Sequence, residues 1–237
     1  MCNCPPFPTA ASRRRFLGGA AALAALASSG RALAADTPLP DNRIGGDAAL
    51  QRLVQGNARY VSGQSTQRDF SVRRVARTRG QKPFAAILGC ADSRVSPELA
   101  FDQGPGDLFV VRLAGNFVND DALASLEFAT KVLEVPLIMV LGHTSCGAVA
   151  ASIKVLQEKT KLPGHLPSLA EAIRPAVEAA ARRQPKDLLA AATAQNVRHG
   201  VARLTTSAPI LAEMTERGAV KVVGGVYDLA TGKIGLV

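Results

Sequence analysis

The sequence predicts an α/β domain built on a central, mostly parallel β-sheet flanked by helices, with an antiparallel edge strand at the C-terminus. Three observations carry that prediction. Short apolar runs recur at 83–89, 107–115, 135–143 and 219–228. They are apolar throughout rather than alternating, as in strands buried on both faces. Helical patterns lie between them, the βαβ alternation of a parallel sheet.

The first segment is not part of that domain. SRRRFLGGAAALAALASSGRALAAD, from Ser12, sets arginines 13 to 15 ahead of an Ala/Leu/Gly run and then small residues at Ala32-Leu33-Ala34. This order reads as an export signal, and SRRRFL resembles a twin-arginine signal. The alternative is an uncleaved anchor helix, but the run is short for a bilayer span and rich in weakly apolar Ala. Residues 1–34 are therefore expected to be the signal, 35–46 a linker and 47–237 a single domain. No stable membrane insertion is expected after cleavage, and the mature protein is placed in the periplasm or another extracytoplasmic compartment.

Removing 34 of 237 residues leaves 203, enough for one domain with a sizeable core. The 28 basic residues, less the four arginines of the signal, leave 24 against 19 acidic ones, a net charge of +5. The nearest basic stripe, SVRRVARTRGQK, lacks interleaved aromatics and reads as a solvated helix end. Nucleic acid is not an expected partner. Cys2 and Cys4 leave with the signal, so the mature chain keeps Cys90 and Cys146. In an oxidising compartment two cysteines could form a disulfide, but their neighbours point elsewhere.

From Asp47 to Gly63, apolar Leu50, Leu53, Val54, Ala58 and Val61 are spaced as one helix face, with Asp47 as N-cap. PFAAILG, opened by Pro83, is the first strand. The turn-prone QGPGD precedes the second, DLFVVRLAG. DDALASLEFATKVLE reads as a helix, VPLIMVLGH as the third strand and SCGAVAASIKVLQ as another helix. Residues 168–218 are Ala-rich and predict two or three helices, broken near Pro185 and Pro209. AVKVVGGVYD is the fourth strand. KIGLV, after the turn residues ATG, is the antiparallel edge.

The chemistry gathers at two strand ends, where ligands collect in parallel sheets. GCADSRV follows the first run and holds Cys90, Asp92 and Arg94 on alternate positions, which share a face in an extended segment. LGHTSCGAV ends the third run and sets His143 and Cys146 three apart, flanked by Gly142 and Gly147, a spacing that lets two ligands converge from a turn. Each residue alone reads as structure: a buried cysteine as a small hydrophobe, the aspartate and arginine as an ordinary ion pair. Together, two thiolates, one imidazole and one carboxylate make a zinc set. Sulfur and nitrogen donors disfavour magnesium and calcium; iron or cobalt fits the same donors, and zinc suits them best. His165 and His199 lack such company and are left structural.

GCADSRV followed by GHTSCG resembles the beta-class carbonic anhydrases, whose signature is C-x-D-x-R and then H-x-x-C. The resemblance covers most of the mature chain. It implies zinc on Cys90, His143 and Cys146, with Asp92 as a further, switchable ligand paired to Arg94. It also implies substrate-side roles for Gln81, the apolar wall residue Phe109, Phe128 and the backbone donor at Gly147. At 128 many plant-like members carry Tyr, so a hydroxyl contact is absent here. A homodimer or homotetramer is implied as well.

The implied reaction is the reversible hydration of carbon dioxide to bicarbonate and a proton. Zinc with an open position activates water, but two thiolates leave it a weaker acid than three histidines would. A nearby acceptor, Asp92, then gains importance, and Arg94 can hold it off the metal in a bidentate pair. Rival readings are hydrolysis of carbonyl sulfide or carbon disulfide at the same zinc, a Cys146 nucleophile with His143 as base, and a non-catalytic zinc protein. Dinucleotide binding is disfavoured, because no G-x-G-x-x-G follows any strand run.

Overall fold

The computed structural model describes residues 41–71 and 73–237. The expected signal and the first part of the expected linker lie outside them. Asp69–Gly80 belongs to one compact unit and residues 40–68 and 81–237 form another. In the first, the basic stripe contributes only a 3-10 turn, Ala76–Arg79, where a helix end was expected. Arg77 Nη2 donates to the Phe70 carbonyl at 2.8 Å.

The second unit holds the sheet. Its strands are β1 (Ala85–Gly89), β2 (Leu108–Arg112), β3 (Leu137–His143), β4 (Lys221–Tyr227) and β5 (Ile234–Leu236). They lie in the order β2-β1-β3-β4-β5. All pairings are parallel except β4 with β5, which is antiparallel. The expected class and edge strand are both present.

Among the described residues, seven α-helices accompany the strands: α1 (Gly46–Val61), α2 (Pro97–Ala100), α3 (Asp120–Lys131), α4 (Gly147–Glu158), α5 (Leu166–Ala181), α6 (Leu188–Thr205) and α7 (Ile210–Glu216). The Ala-rich stretch gives three, as its prolines suggested. Asp47 is not the N-cap of α1; Gly45 is, and Asp47 sits in the first turn, where its charge suits the helix dipole. Asn119 and Asp187 cap α3 and α6, each side chain accepting an N–H three residues on.

Period two sorts the strand residues between two cores. Ala85 and Ile87 of β1, with Leu137, Met139 and Leu141 of β3, pack on the face that Ala49 and Leu53 of α1 cover. Ala86, Leu88, Ile138 and Val140 point the other way, to Leu126, Val197, Leu204 and Leu211 of α3, α6 and α7. Both central strands are therefore buried along their whole length. Burying one Leu or Ile side chain contributes about 1.5–3 kcal/mol. The connection from β1 runs outward to β2, then the chain crosses back to β3 on the other side of β1. Neighbouring strands whose connections leave in opposite directions open a crevice at their carboxyl ends.

Candidate metal centre

Cys90 directly follows β1, and His143 is the last residue of β3. Cys146 is the N-cap of α4. In the register Gly89 pairs with Leu141, so Cys90 and His143 emerge side by side at the switch point. Ser145, at φ +56, turns the chain back so that Cys146 joins them. One donor atom from each of Cys90, His143 and Cys146 lies within 4.8 Å of the others. Cys90 is 4 % exposed, Cys146 1 % and His143 0 %. Both thiols are free, so no disulfide competes for them.

The donors fit zinc. His143 Nδ1 is 2.9 Å from the Thr144 carbonyl, which makes it the protonated nitrogen and leaves Nε2 with its lone pair. That Nε2 is buried and has no hydrogen-bond partner. An orphaned imidazole nitrogen beside two thiols is costly in a protein interior and is the arrangement a metal ligand needs. A tetrahedral ion with bonds of about 2.0–2.3 Å spans such a triangle with small adjustment. The neighbouring Cys146 thiol, above all, holds the Cys90 thiol well below its ordinary value against burial, and the Gly115 N–H adds to this. Cys146 is pushed up by its closeness to Cys90 and by burial. A divalent cation offsets that penalty.

Asp92 stands outside this triangle. Arg94 Nε donates to Oδ1 at 2.9 Å and Nη2 to Oδ2 at 2.7 Å, and the Arg94 backbone N–H adds a third bond at 3.0 Å. Those bonds, the side-chain pair above all, hold the carboxyl well below the usual carboxylate range. Asp92 Oδ2 is 3.8 Å from His143 Nε2, so the dyad borders the triangle without entering it.

The expected shared face has a different origin. The chain is not extended past Asp92: Val95 N–H donates to the Asp92 carbonyl at 3.1 Å, closing a turn. Arg94 folds back onto Asp92 through that turn rather than through strand alternation. A group the sequence reasoning missed steadies it. Arg112, at the end of β2, donates from Nε to the Cys90 carbonyl (2.8 Å) and from Nη2 to the Asp92 carbonyl (2.6 Å). No sequence pattern marks an arginine whose partners are backbone oxygens.

The remaining expected residues divide. Gly147 opens α4 beside Cys146, and a Cβ there would meet nothing within 4 Å, so its face of the site is open. Gln81 lies before the start of β1, in a groove with Asn42, Val132 and Glu134. That is the opposite end of the strand from Cys90, so Gln81 does not reach the centre of its own protomer. Phe109 pairs with Ala86 in the register, about 13 Å short of Cys90 along the strand. It packs against Phe128, ring centroids 6.3 Å apart, on the flank of the sheet. The structure brings neither phenylalanine to the metal triangle.

A parallel sheet that gathers two cysteines and a histidine at its switch point, beside an arginine-held aspartate, defines a thiolate-ligated metal enzyme. The family model for carbonic anhydrase matches residues 85–234. A carbonic anhydrase of Mycolicibacterium smegmatis is 40 % identical over 190 residues, covering 80 % of this chain and 92 % of the relative. Carbonic anhydrase 2 of Mycobacterium tuberculosis is 40 % identical over 187 residues, covering 78 % and 90 %. Among solved structures, the beta-carbonic anhydrase CcaA superposes with TM-score 0.60 at 31 % identity, covering 79 % and 94 %. A tetrameric beta-carbonic anhydrase of Sordaria macrospora superposes with TM-score 0.62 at 26 % identity, covering 68 % and 83 %. The chain belongs to the beta class of the carbonic anhydrase family.

Proposed function

We infer that the protein is a zinc-dependent lyase that interconverts carbon dioxide and bicarbonate. The observation that carries this is the buried Cys90–His143–Cys146 triangle with an ionised aspartate held at its border. Those three residues would hold zinc and leave one of four positions for solvent. When bound, zinc supplies activation of water, lowering its pKa from about 15.7 to about 7.

The chain's own residues do the rest. Ionised Asp92 accepts hydrogen bonds only, so it takes the O–H of the nucleophile and turns a lone pair toward carbon dioxide. Arg94 keeps Asp92 ionised and off the metal. Gly147, first residue of α4, offers its N–H and the positive end of the helix to the oxygen that gains charge. A closed structural zinc would have Asp92 as its fourth ligand, and Arg94 occupies that carboxylate. Stopped-flow hydration assays with metal analysis test the reading. One zinc per chain and turnover lost to a chelator, then restored by zinc, are expected. A fully zinc-loaded protein without turnover would overturn it.

Export and assembly belong to the same proposal. SRRRFL and the apolar run after it, which lie outside the described residues, support delivery of the folded, metal-loaded protein to the periplasm. Replacing Arg13 and Arg14 by Lys should leave the protein in the cytoplasm; unchanged export would remove this part. The naming of the Sordaria macrospora enzymes as tetrameric, and exposed Leu99, Phe128 and Val132 on this chain, support a homodimer or homotetramer. Light scattering showing only monomer would count against it.

A further inference from the structure

A thiolate ligand is governed by whatever else bonds to it, because a donated hydrogen bond fixes its direction and withdraws electron density. The Gly115 N–H donates to Cys90 Sγ at 3.2 Å, across 25 residues of sequence. Gly115 lies in the loop that leaves β2. That loop is pinned to the Cys90 segment by Leu113 N–H to Gly89 O at 3.1 Å and Ala91 N–H to Leu113 O at 3.2 Å. It closes as a turn through Asn116 N–H to Leu113 O at 2.9 Å. Gly115 is the third residue of the turn, at φ +88, a position that requires positive φ in such turns. A Cβ there would lie 2.5 Å from Ile173 Cδ1 and 3.1 Å from Ala148 Cβ.

The carbonyl of the same residue is held from the far side. Asn196 of α6 donates its Nδ2–H to Gly115 O at 2.8 Å, across 81 residues. Asn196 is 3 % exposed. One residue thus stands between a helix amide on one side and a metal-ligating sulfur on the other.

We propose that Asn196 is a positioning residue for the zinc ligand Cys90, acting through Gly115: its amide anchors the Gly115 carbonyl and so keeps the Gly115 N–H aimed at the sulfur. This rests on the zinc reading given above. In Asn196→Asp a carboxylate would face the carbonyl, acceptor against acceptor, and the turn would rotate. The N–H···S bond would lengthen, and Cys90 would become more electron-rich and less well oriented.

Cobalt(II) in place of zinc reports this through its thiolate-to-metal charge-transfer band. In Asn196→Asp and Asn196→Ala the band should move to lower energy, and zinc affinity by chelator competition should fall about 10–100-fold, the usual effect of losing an outer partner of a ligand. Leu204→Ala, a fully buried change on the same helix, should lower stability but leave band and affinity unmoved. An unmoved band in folded Asn196 variants, or the same shift in Leu204→Ala, would overturn the proposal. Should the Asn196 variants not fold, the wild-type protein loaded with a spin-active cadmium isotope decides. A scalar coupling between the metal and the Gly115 amide proton is expected, and its absence overturns the link. Failure of the wild type to bind any of these metals would instead defeat the zinc reading itself.

Discussion

Arg94 grips Asp92 by both carboxylate oxygens, Nε on Oδ1 at 2.9 Å and Nη2 on Oδ2 at 2.7 Å. A planar guanidinium makes that two-point contact and an ammonium cannot. Arg94→Ala therefore frees Asp92 to move onto the metal. Activity should fall by about 10²–10⁴-fold, the range seen when a proton-handling group is lost, while zinc content stays near that of the wild type. Arg94→Lys should recover only part of the rate. Wild-type turnover in Arg94→Ala, measured beside its zinc content, would contradict this role.

Cys146 supplies one of the two sulfurs in the triangle, and among the described residues no further metal-binding group joins it beyond the arginine-bound aspartate at its border. Cys146→Ser should strip most of the zinc, because a serine hydroxyl does not ionise near neutral pH as a metal-bound thiol does. Elemental analysis of the purified variant checks this. Full occupancy would reject Cys146 as a ligand.

Asp102 is buried, 3 % exposed, at a left-handed φ of +48. Burial alone would raise its pKa, but bonds from Arg68, Arg59 and Thr66 outweigh that and hold it well below the ordinary value. A carboxyl depressed in the folded state contributes stability above its unfolded pKa of about 3.9, and loses it as pH falls through the folded value. Asp102→Asn should cost about 1.5–3 kcal/mol at pH 7, the contribution of a hydrogen bond to a charged group. The deficit should shrink below about pH 4, as the carboxyl of the unfolded chain takes up a proton that the folded one does not. Urea melts of both proteins across that range measure the difference, and loss of metal in acid cancels between them. A deficit that grows toward low pH would refute the sign.

Asn57 joins α1 to two distant segments. Its Nδ2 donates to the carbonyls of Ala100 (2.9 Å) and Gly232 (2.8 Å), and its Oδ1 accepts from Ile234 N–H at 3.0 Å. Asn57→Ala leaves three backbone groups unpaired in a site only 7 % exposed. A loss of about 2–4 kcal/mol is expected from unsatisfied groups of this kind, read as a lowered thermal midpoint with zinc stoichiometry unchanged. A shift within error would show that water replaces the amide.

The strands, the helices and the identity of the metal donors were legible in the sequence because each rests on local information. Apolar runs reveal strands that both cores bury, and cysteine is rare enough that two of them at strand ends stand out. The ring nitrogen of His143 that faces the metal was not legible, since its Nδ1 partner is a backbone carbonyl. Nor was the turn at Asp92–Val95, where the alternation of residues suggested an extended segment. Arg112, Gly115 and Asn196 carry no motif, because a contact through a peptide group leaves no residue preference at the far end. Gln81, Phe109 and Phe128 were marked by resemblance alone, and strand direction sets them away from the triangle within one protomer. Sequence by itself settled which side chains could bind zinc and that they would leave a parallel sheet at its carboxyl edge. Tertiary structure alone decided that they converge, that Asp92 rests on Arg94, and which distant peptide bonds to the sulfur, because those outcomes depend on register, turn geometry and packing between segments far apart in the chain.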